Sequence, residues 1–204
     1  MTRPQRIGLV GGTFDPIHEG HIAVAEGARD CADLDRVLLI PSRVPPHRSQ
    51  PVATPADRVA MCRLAAQGRP RLEVSDLELR RPGPSYTVDT LRELAAEDPG
   101  AELYLVLGWD AAEAISTWYE PEEVLRLARL LVIPRLGWPI PTDADLRRAG
   151  LDPVRTVLCD VDTPEHVATE IRRSLANGGP LGGALDPAVL RYVHDHGLYA
   201  AEQA

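Results

Sequence analysis

Short apolar runs alternate with amphipathic segments along the chain, and this alternation constrains the fold more than any other feature. Apolar runs with the character of buried strands occupy 6–12, 35–42, 71–79, 101–108, 130–135 and 154–160. Segments with helical character occupy 20–34, 54–68, 88–98, 109–119, 120–131, 168–179 and 185–197. Such alternation is typical of a parallel sheet with helices on both faces. The sequence therefore predicts an α/β, doubly wound, Rossmann-like fold with a small helical part at the C-terminus.

Two of the predicted helices carry several start signals that agree. Thr54 is placed as an N-cap, Pro55 follows at the first helical position, and Asp57 lies in the first turn. Asp186 and Pro187 repeat the first two signals near the C-terminus. We therefore expect these two helices to begin where the signals lie.

The length of 204 residues favours a single domain over 1–204. The formal net charge of −8 argues against non-specific binding to nucleic acid or to an anionic membrane. Neither a signal peptide nor an apolar run of membrane-spanning length is recognisable. The sequence predicts a cytoplasmic protein, and it leaves the oligomeric state open, a homo-oligomer included.

Three cysteines are spread along the chain without a CxxC pair. Cys31, Cys62 and Cys159 are far apart in the sequence. We expect three reduced, mostly buried thiols in a reducing compartment.

The stretch GGTFDPIHEGH, residues 11–21, follows the first predicted strand directly. Gly11 and Gly12 permit close approach of a ligand to the backbone. His18 and His21, three apart at a helix start, face one side, with Gly20 keeping a side chain out from between them. The stretch matches neither GxGxxG nor GxxxxGK[ST] and contains no lysine. It predicts a phosphate site at a helix N-terminus, where histidines charged by the nearby phosphates donate hydrogen bonds.

GGTFDPIHEGH resembles the signature of nucleotidyltransferases whose Rossmann-like fold is shared with class I aminoacyl-tRNA synthetases. The similarity is closest to the bacterial nicotinate-nucleotide adenylyltransferases and covers almost the whole chain. The ordered segments GGTFDPIH, VPPHR, SYTVDTL, GWD, TWYEPEEVL, TEIR and YVHDHGLY carry it. The resemblance implies an enzyme of NAD biosynthesis that joins ATP to nicotinate mononucleotide, giving deamido-NAD and pyrophosphate. It also implies Mg²⁺ bound mainly through the ATP phosphates, without a protein metal site.

The same resemblance assigns roles to individual residues. His18, His21 and Arg172 would be catalytic. Trp118 would stack on the pyridine ring, while the helix start at 85–87 would receive the nicotinate carboxylate. The ATP site would comprise Gly11, Gly12, Thr13, Phe14, His18, His21, Gly108, Asp110, Thr169 and Arg172. The mononucleotide site would comprise His47, Arg48, Ser85, Tyr86, Thr87, Trp118, Tyr119 and Arg135.

One segment departs from the family pattern. In HVATEIR, Val167 stands where the family has a serine, and His166 stands where it has an apolar residue. Two alternatives therefore stay open from the sequence. One is a related nucleotidyltransferase with nicotinamide mononucleotide or another nucleoside triphosphate. The other is a non-catalytic nucleotide-binding homologue.

Overall fold

Six strands form one parallel sheet in the computed structural model, which describes residues 3–44, 50–134, 137 and 139–200. The strands are β1 (Arg6–Gly12), β2 (Arg36–Pro41), β3 (Leu72–Val74), β4 (Glu102–Gly108), β5 (Ala128–Ile133) and β6 (Thr156–Leu158). Their order across the sheet is β3-β2-β1-β4-β5-β6. The chain therefore winds outward first on one side of β1 and then on the other. This order reverses between β1 and β4, and in open parallel sheets such a reversal opens a crevice at the carboxyl ends of the strands.

Helices connect the strands and cover both faces of the sheet, which confirms the α/β Rossmann-like prediction. They are α1 (Glu19–Cys31), α2 (Pro55–Ala66), α3 (Leu77–Arg80), α4 (Thr87–Glu97), α5 (Trp109–Glu113), α6 (Pro121–Leu127), α7 (Asp143–Arg148), α8 (Ala168–Ala176) and α9 (Pro187–Asp195). A 3₁₀ turn spans Ile115–Thr117. None of the described helices has the length and apolar character needed to cross a bilayer. That the whole chain forms one domain stays a prediction.

Alternate residues of the strands supply two separate apolar layers. Val10 of β1 packs with α1, α2, α8 and α9 on one face of the sheet. Ile7 and Leu9 of the same strand pack with α3 to α7 on the other face. Because successive side chains of a strand point to opposite faces, one buried strand serves both layers.

The predicted helix starts at Thr54 and Asp186 are confirmed. The Thr54 hydroxyl accepts a hydrogen bond from the Asp57 amide at 3.2 Å. The Asp186 carboxylate accepts one from the Ala188 amide at 2.7 Å. Pro55 and Pro187 each open the helix that follows.

Several of the predicted segments need correction. The helix predicted over 120–131 ends at Leu127 and β5 begins at Ala128, while the helix predicted over 109–119 is divided into α5 and the 3₁₀ turn.

The strand predicted over 71–79 ends at Val74 and α3 begins at Leu77. After the Ser75 amide donates to the Leu39 carbonyl, the chain stops pairing with β2, and the amides of Leu79 and Arg80 donate to the carbonyl of Asp76 instead. The strand predicted over 154–160 is three residues long, Thr156–Leu158. The residues before it, for which the sequence predicted neither helix nor strand, contain α7, whose first turn is capped by Thr142.

The prediction of three reduced cysteines is wrong for two of them. Cys31, at the end of α1, and Cys159, just after β6, form a disulfide with 6.0 Å between their Cα atoms. Cys62 is the free thiol and is buried, as expected. The sequence separation of 128 residues hides the proximity of the bonded pair, because only the order of the strands brings the end of α1 beside the chain leaving β6.

We expect the double variant Cys31→Ser/Cys159→Ser to unfold more easily than the wild type by about 2–5 kcal/mol, because the bridge restricts a long loop in the unfolded chain. Thermal unfolding with and without dithiothreitol measures this. The reductant should lower the transition of the wild type and leave that of the double variant unchanged. Cys62→Ala, which keeps the bridge, should remain sensitive to reductant. If dithiothreitol leaves the unfolding temperature of the wild type unchanged, the expectation is contradicted.

Candidate active site

A cavity of about 680 Å³ opens at the carboxyl ends of β1 and β4, where the strand order reverses. We call it the main cavity. It is the place where ligands bind in folds of this class. Thirteen of the residues assigned from the sequence line it: Gly11, Gly12, Thr13, Phe14, His21, Ser85, Tyr86, Thr87, Gly108, Trp118, Tyr119, Thr169 and Arg172.

The remaining assigned residues lie elsewhere. His18 is behind His21 and does not line the main cavity. Asp110 lines a smaller neighbouring cavity of about 250 Å³, together with Trp109 and Pro134. His47, Arg48 and Arg135 lie outside the described residues.

The two glycines that end β1 have different roles. A Cβ on Gly11 would meet nothing within 4 Å, so this glycine leaves the floor of the cavity open. A Cβ on Gly12 would lie 2.9 Å from ring atoms of Phe14. Phe14 is itself almost fully buried and has a positive φ of 50°, a conformation that costs about 1 kcal/mol or more for a non-glycine residue. Gly12 is therefore required for packing of the turn, a reason beyond the ligand access that the sequence suggested.

Aromatic rings stack in a row beneath the turn. Phe14 meets His21 edge-on, with ring centroids 5.0 Å apart. His21 in turn stacks on His18 with centroids 3.7 Å apart. The His18 amide donates to Nδ1 of His21 at 3.3 Å, so a neutral His21 carries its proton on Nε2. The imidazole that lines the cavity is thus oriented by both of its neighbours.

Burial lowers the pKa of His18 to about 4, and repulsion from His166 contributes second. His18 is therefore neutral near pH 7 in this structure. The expectation of a charged imidazole depended on neighbouring phosphates, whose negative charge would raise this pKa. Nδ1 of His18 is buried and has no hydrogen-bond partner among the described residues.

Asp15 is a buried carboxylate that ties together four distant parts of the chain. Its oxygens accept hydrogen bonds from the amides of Val52 at 2.8 Å and Ala53 at 3.0 Å. The Tyr199 hydroxyl donates to it at 2.7 Å. The backbone carbonyl of Asp15 accepts from Nη1 of Arg172 at 2.6 Å. The turn after β1 is therefore fixed by the chain before α2, by α8 and by the segment after α9.

Arg58 lies beneath the same turn and is fully buried. Its Nη1 donates to the carbonyl of Thr13 at 2.7 Å. Burial lowers the pKa of the guanidinium, and the charge of Asp15 opposes this effect. Burial, together with the hydrogen bond to Asp15, raises the pKa of Tyr199 above its ordinary value. A buried cation and a buried anion thus support one turn from two sides.

The N-termini of α4 and α8 both face the main cavity, and neither is capped by a side chain. The N-cap of α4 is Tyr86 and that of α8 is Val167, and neither side chain caps its helix. Residues of both first turns line the cavity. By contrast, α2, α7 and α9 begin with capping hydroxyl or carboxylate groups. Free amides at a helix N-terminus favour an anion, so the cavity offers two anion positions on separate helices.

Each anion position has a polar support. Beside α8, Arg172 also donates to the Thr169 hydroxyl at 3.4 Å. Beside α4, the hydroxyl of Ser85 accepts from the Arg43 amide at 2.9 Å, so Ser85 holds the chain on the far side of the cavity. Glu78 lines the cavity, is buried, and accepts from the Thr90 hydroxyl at 2.7 Å. Burial raises the pKa of Glu78.

Sequence reasoning missed four residues that build the site: Asp15, Arg58, Glu78 and Tyr199. Asp15 lies inside GGTFDPIHEGH, but its partner Tyr199 is 184 residues away. Arg58 lies on a helix whose spacing gives no sign of a buried cation. Glu78 was hidden by the strand predicted over 71–79.

The sequence profile described as Cytidylyltransferase-like matches residues 9–174. The chain is 40% identical over 196 residues to the "Probable nicotinate-nucleotide adenylyltransferase" of Synechococcus sp. (strain JA-3-3Ab), covering 96% of this chain and 95% of the relative. It is 43% identical over 195 residues to the protein of the same name from Roseiflexus sp. (strain RS-1), covering 95% and 97%. A solved structure of Plasmodium falciparum nicotinic acid mononucleotide adenylyltransferase complexed with NaAD matches with a TM-score of 0.78 at 20% identity, covering 96% and 97%.

The glycine pair yields a matched test of the turn. Gly12→Ala should destabilise the protein by about 1–3 kcal/mol, because the added methyl group overlaps the buried ring of Phe14. Gly11→Ala should melt close to the wild type, since its methyl group has open space. Thermal unfolding of the two variants measures the difference. Equal unfolding temperatures for the two variants would show that Gly12 has no packing role.

Proposed function

Because the chain belongs to the Cytidylyltransferase-like family, among its nicotinate-nucleotide adenylyltransferases, we propose that the main cavity carries out the adenylyl transfer of that enzyme. The enzyme transfers the adenylyl group of ATP to nicotinate mononucleotide and releases pyrophosphate, giving deamido-NAD. The observation that carries the proposal is the pair of uncapped helix N-termini that face one cavity. One such position suits a carboxylate and the other suits a polyphosphate.

The reaction needs positioning more than proton transfer. A phosphate oxygen of the mononucleotide, already ionised at neutral pH, attacks the α-phosphorus of ATP in line. The new P–O bond forms as the bond to the β-phosphate oxygen breaks, and pyrophosphate leaves with its negative charge. No general base is required, so the protein acts by orienting both nucleotides and by stabilising charge on the phosphates.

The N-terminus of α4 would bind the nicotinate end. Its free amides would donate hydrogen bonds to the carboxylate, with the Thr87 hydroxyl beside them. Trp118 lines the same part of the cavity and would stack on the pyridine ring. Tyr119 is half exposed at the rim, where its ring lies 4.6 Å from that of Tyr86. An anion position here favours the acid over the uncharged amide.

The triphosphate end would lie between α1 and α8. The amides at the start of α8 and the guanidinium of Arg172 would face the β- and γ-phosphates. His21 would donate from Nε2, and His18 would gain a proton as the phosphates approach. The Thr13 hydroxyl and the backbone at Gly11 would complete the site. These donors stabilise the charge that develops on the leaving pyrophosphate.

We also propose Mg²⁺ as the cation that accompanies ATP. No group of three or more His, Cys, Asp or Glu is placed to hold a metal ion among the described residues. The carboxylate oxygens of Asp15 are already engaged by two amides and a hydroxyl. This donor set fits an ion carried by the phosphates themselves, whose charge it would partly neutralise. The proposal includes a cytoplasmic enzyme that works as a monomer or as a homo-oligomer.

The direct test mixes purified protein, Mg²⁺ and ATP with either nicotinate mononucleotide or nicotinamide mononucleotide and follows pyrophosphate release. We expect release with both and a clear preference for the acid, since the amide cannot use the charge-assisted bonds at α4. A preference for the amide would overturn the assignment of the carboxylate position. Absence of release with either nucleotide would overturn the proposed chemistry.

Trp118→Ala should raise KM for nicotinate mononucleotide by about tenfold and leave KM for ATP close to the wild type, because stacking on an aromatic ring contributes about 0.5–1.5 kcal/mol beyond burial. Trp118→Phe should keep much of the affinity. Steady-state kinetics with each substrate varied in turn measure the effect. Equal weakening of both substrates would show that Trp118 serves only as part of the core.

A further inference from the structure

The segment between the disulfide and α8 runs along α1 in the opposite direction. We call it the strap, residues 159–166. Its first residue, Cys159, is bonded to Cys31 at the end of α1. Its last residue, His166, lies beside His18 at the start of α1, with ring centroids 6.2 Å apart. The strap therefore connects the two ends of the helix that carries the active-site histidines.

Two glycines of α1 make this close path feasible. A Cβ on Gly27 would lie 2.3 Å from a methyl carbon of Val161. A Cβ on Gly20 would lie 3.1 Å from the carbonyl oxygen of Pro164 and 3.0 Å from Nδ1 of His18. The two glycines are seven residues apart and so share one face of the helix. Gly20 thus admits the strap and the His18 ring, which is a more specific role than the one expected from the sequence.

The end of the strap is fixed beside the main cavity, whose lining includes Ala168 but not His166. The His166 amide donates to the carbonyl of Pro164 at 2.8 Å, which closes a tight turn. His166 is half-buried, and two residues later Ala168 begins α8 and lines the cavity. The His166 ring meets that of His18 nearly perpendicularly, at 77°. It extends the row of rings that starts at Phe14 to a third imidazole.

This third imidazole lies beside His18 and two residues before α8, next to the part of the main cavity where described donors are few. The chain contains no lysine, so all of its 22 Lys and Arg residues are arginines. Near α8, the described arginine that lines the main cavity is Arg172. Val167 offers no hydroxyl at the N-cap of α8, and its side chain is half exposed. Repulsion between His18 and His166 also contributes to the low pKa of His18, and a phosphate beside both rings would relieve it.

We propose that His166 is a third histidine of the triphosphate site and donates a hydrogen bond to the phosphates that leave as pyrophosphate, which rests on the proposed function of the main cavity. It provides the donor that the valine at 167 cannot provide. Together with Arg172 it would hold the leaving group from the side of α8, while His18 and His21 hold it from the side of α1. The strap determines its position.

The test compares His166→Ala, His166→Leu and His166→Gln with the wild type. Calorimetry with inorganic pyrophosphate measures the site directly, and kinetics measure KM for ATP and for nicotinate mononucleotide. We expect His166→Ala and His166→Leu to weaken pyrophosphate binding about tenfold or more and to lower kcat/KM for ATP to a similar extent. His166→Gln should retain more affinity than His166→Leu, because the glutamine carboxamide N–H still donates. KM for the mononucleotide should stay close to the wild type.

His194→Ala is the matched control, since His194 is exposed on α9 and does not line the main cavity. It should bind pyrophosphate as the wild type does. Thermal unfolding shows whether each variant is folded. If the His166→Leu variant binds pyrophosphate like the wild type, the ring serves only in packing and the proposal is overturned. If the His166→Gln variant binds no better than His166→Leu while both are folded, the donor role is overturned.

The two proposals fail in distinguishable ways. A wild type that binds pyrophosphate through His166 but releases none from ATP would overturn the adenylyl transfer and support the phosphate site. If the wild type turns over normally and the His166 variants bind pyrophosphate as tightly as it does, the adenylyl transfer would be supported and the role of His166 overturned.

Discussion

The buried carboxylate of Asp15 is the interaction on which the rest of the site depends. Desolvating a carboxylate costs several kcal/mol unless hydrogen bonds replace the lost water. Two amides, the Tyr199 hydroxyl and the nearby charge of Arg58 provide that replacement. The partners come from three separate parts of the chain, so the carboxylate is satisfied only when all of them have assembled. Phe14, one residue before it, adopts a left-handed backbone conformation.

The distribution of hydrogen-bond donors explains how a protein with a net charge of −8 can bind two anionic nucleotides. The positive potential is local, and much of it comes from backbone amides at helix N-termini and from imidazoles. Backbone amides carry no net charge, and burial keeps His18 neutral near pH 7 by lowering its pKa to about 4. Donors of this kind cost less to bury than lysine or arginine side chains, yet they respond to an arriving phosphate by alignment or by protonation. The permanently charged Arg172 is tied back to the carbonyl of Asp15, which limits its freedom before the leaving group forms.

Local signals predicted the fold and much of the site. Strand–helix alternation gave the sheet, and the caps at Thr54 and Asp186 placed two helix starts correctly, because both depend on neighbouring residues. Predictions were wrong where the answer depends on distant pairs: the Cys31–Cys159 bond, and the third strand, which ends where its pairing with β2 ends. Asp15 and Arg58 escaped detection for the same reason, since a residue type cannot reveal a partner that only the tertiary fold brings near.

The strap and Asp15 together explain why the site combines precision with dependence on the whole chain. Residues 15, 58, 172 and 199 meet at one turn, and the bond between Cys31 and Cys159 fixes a second connection across a separation of 128 residues. Bringing residues of such separation together costs loop-closure entropy, which the contacts themselves must offset. Local sequence specifies the first turn after β1, but the turn is held in place by contacts from α8 and from the segment after α9. The geometry of the phosphate donors therefore depends on the packing of the whole fold.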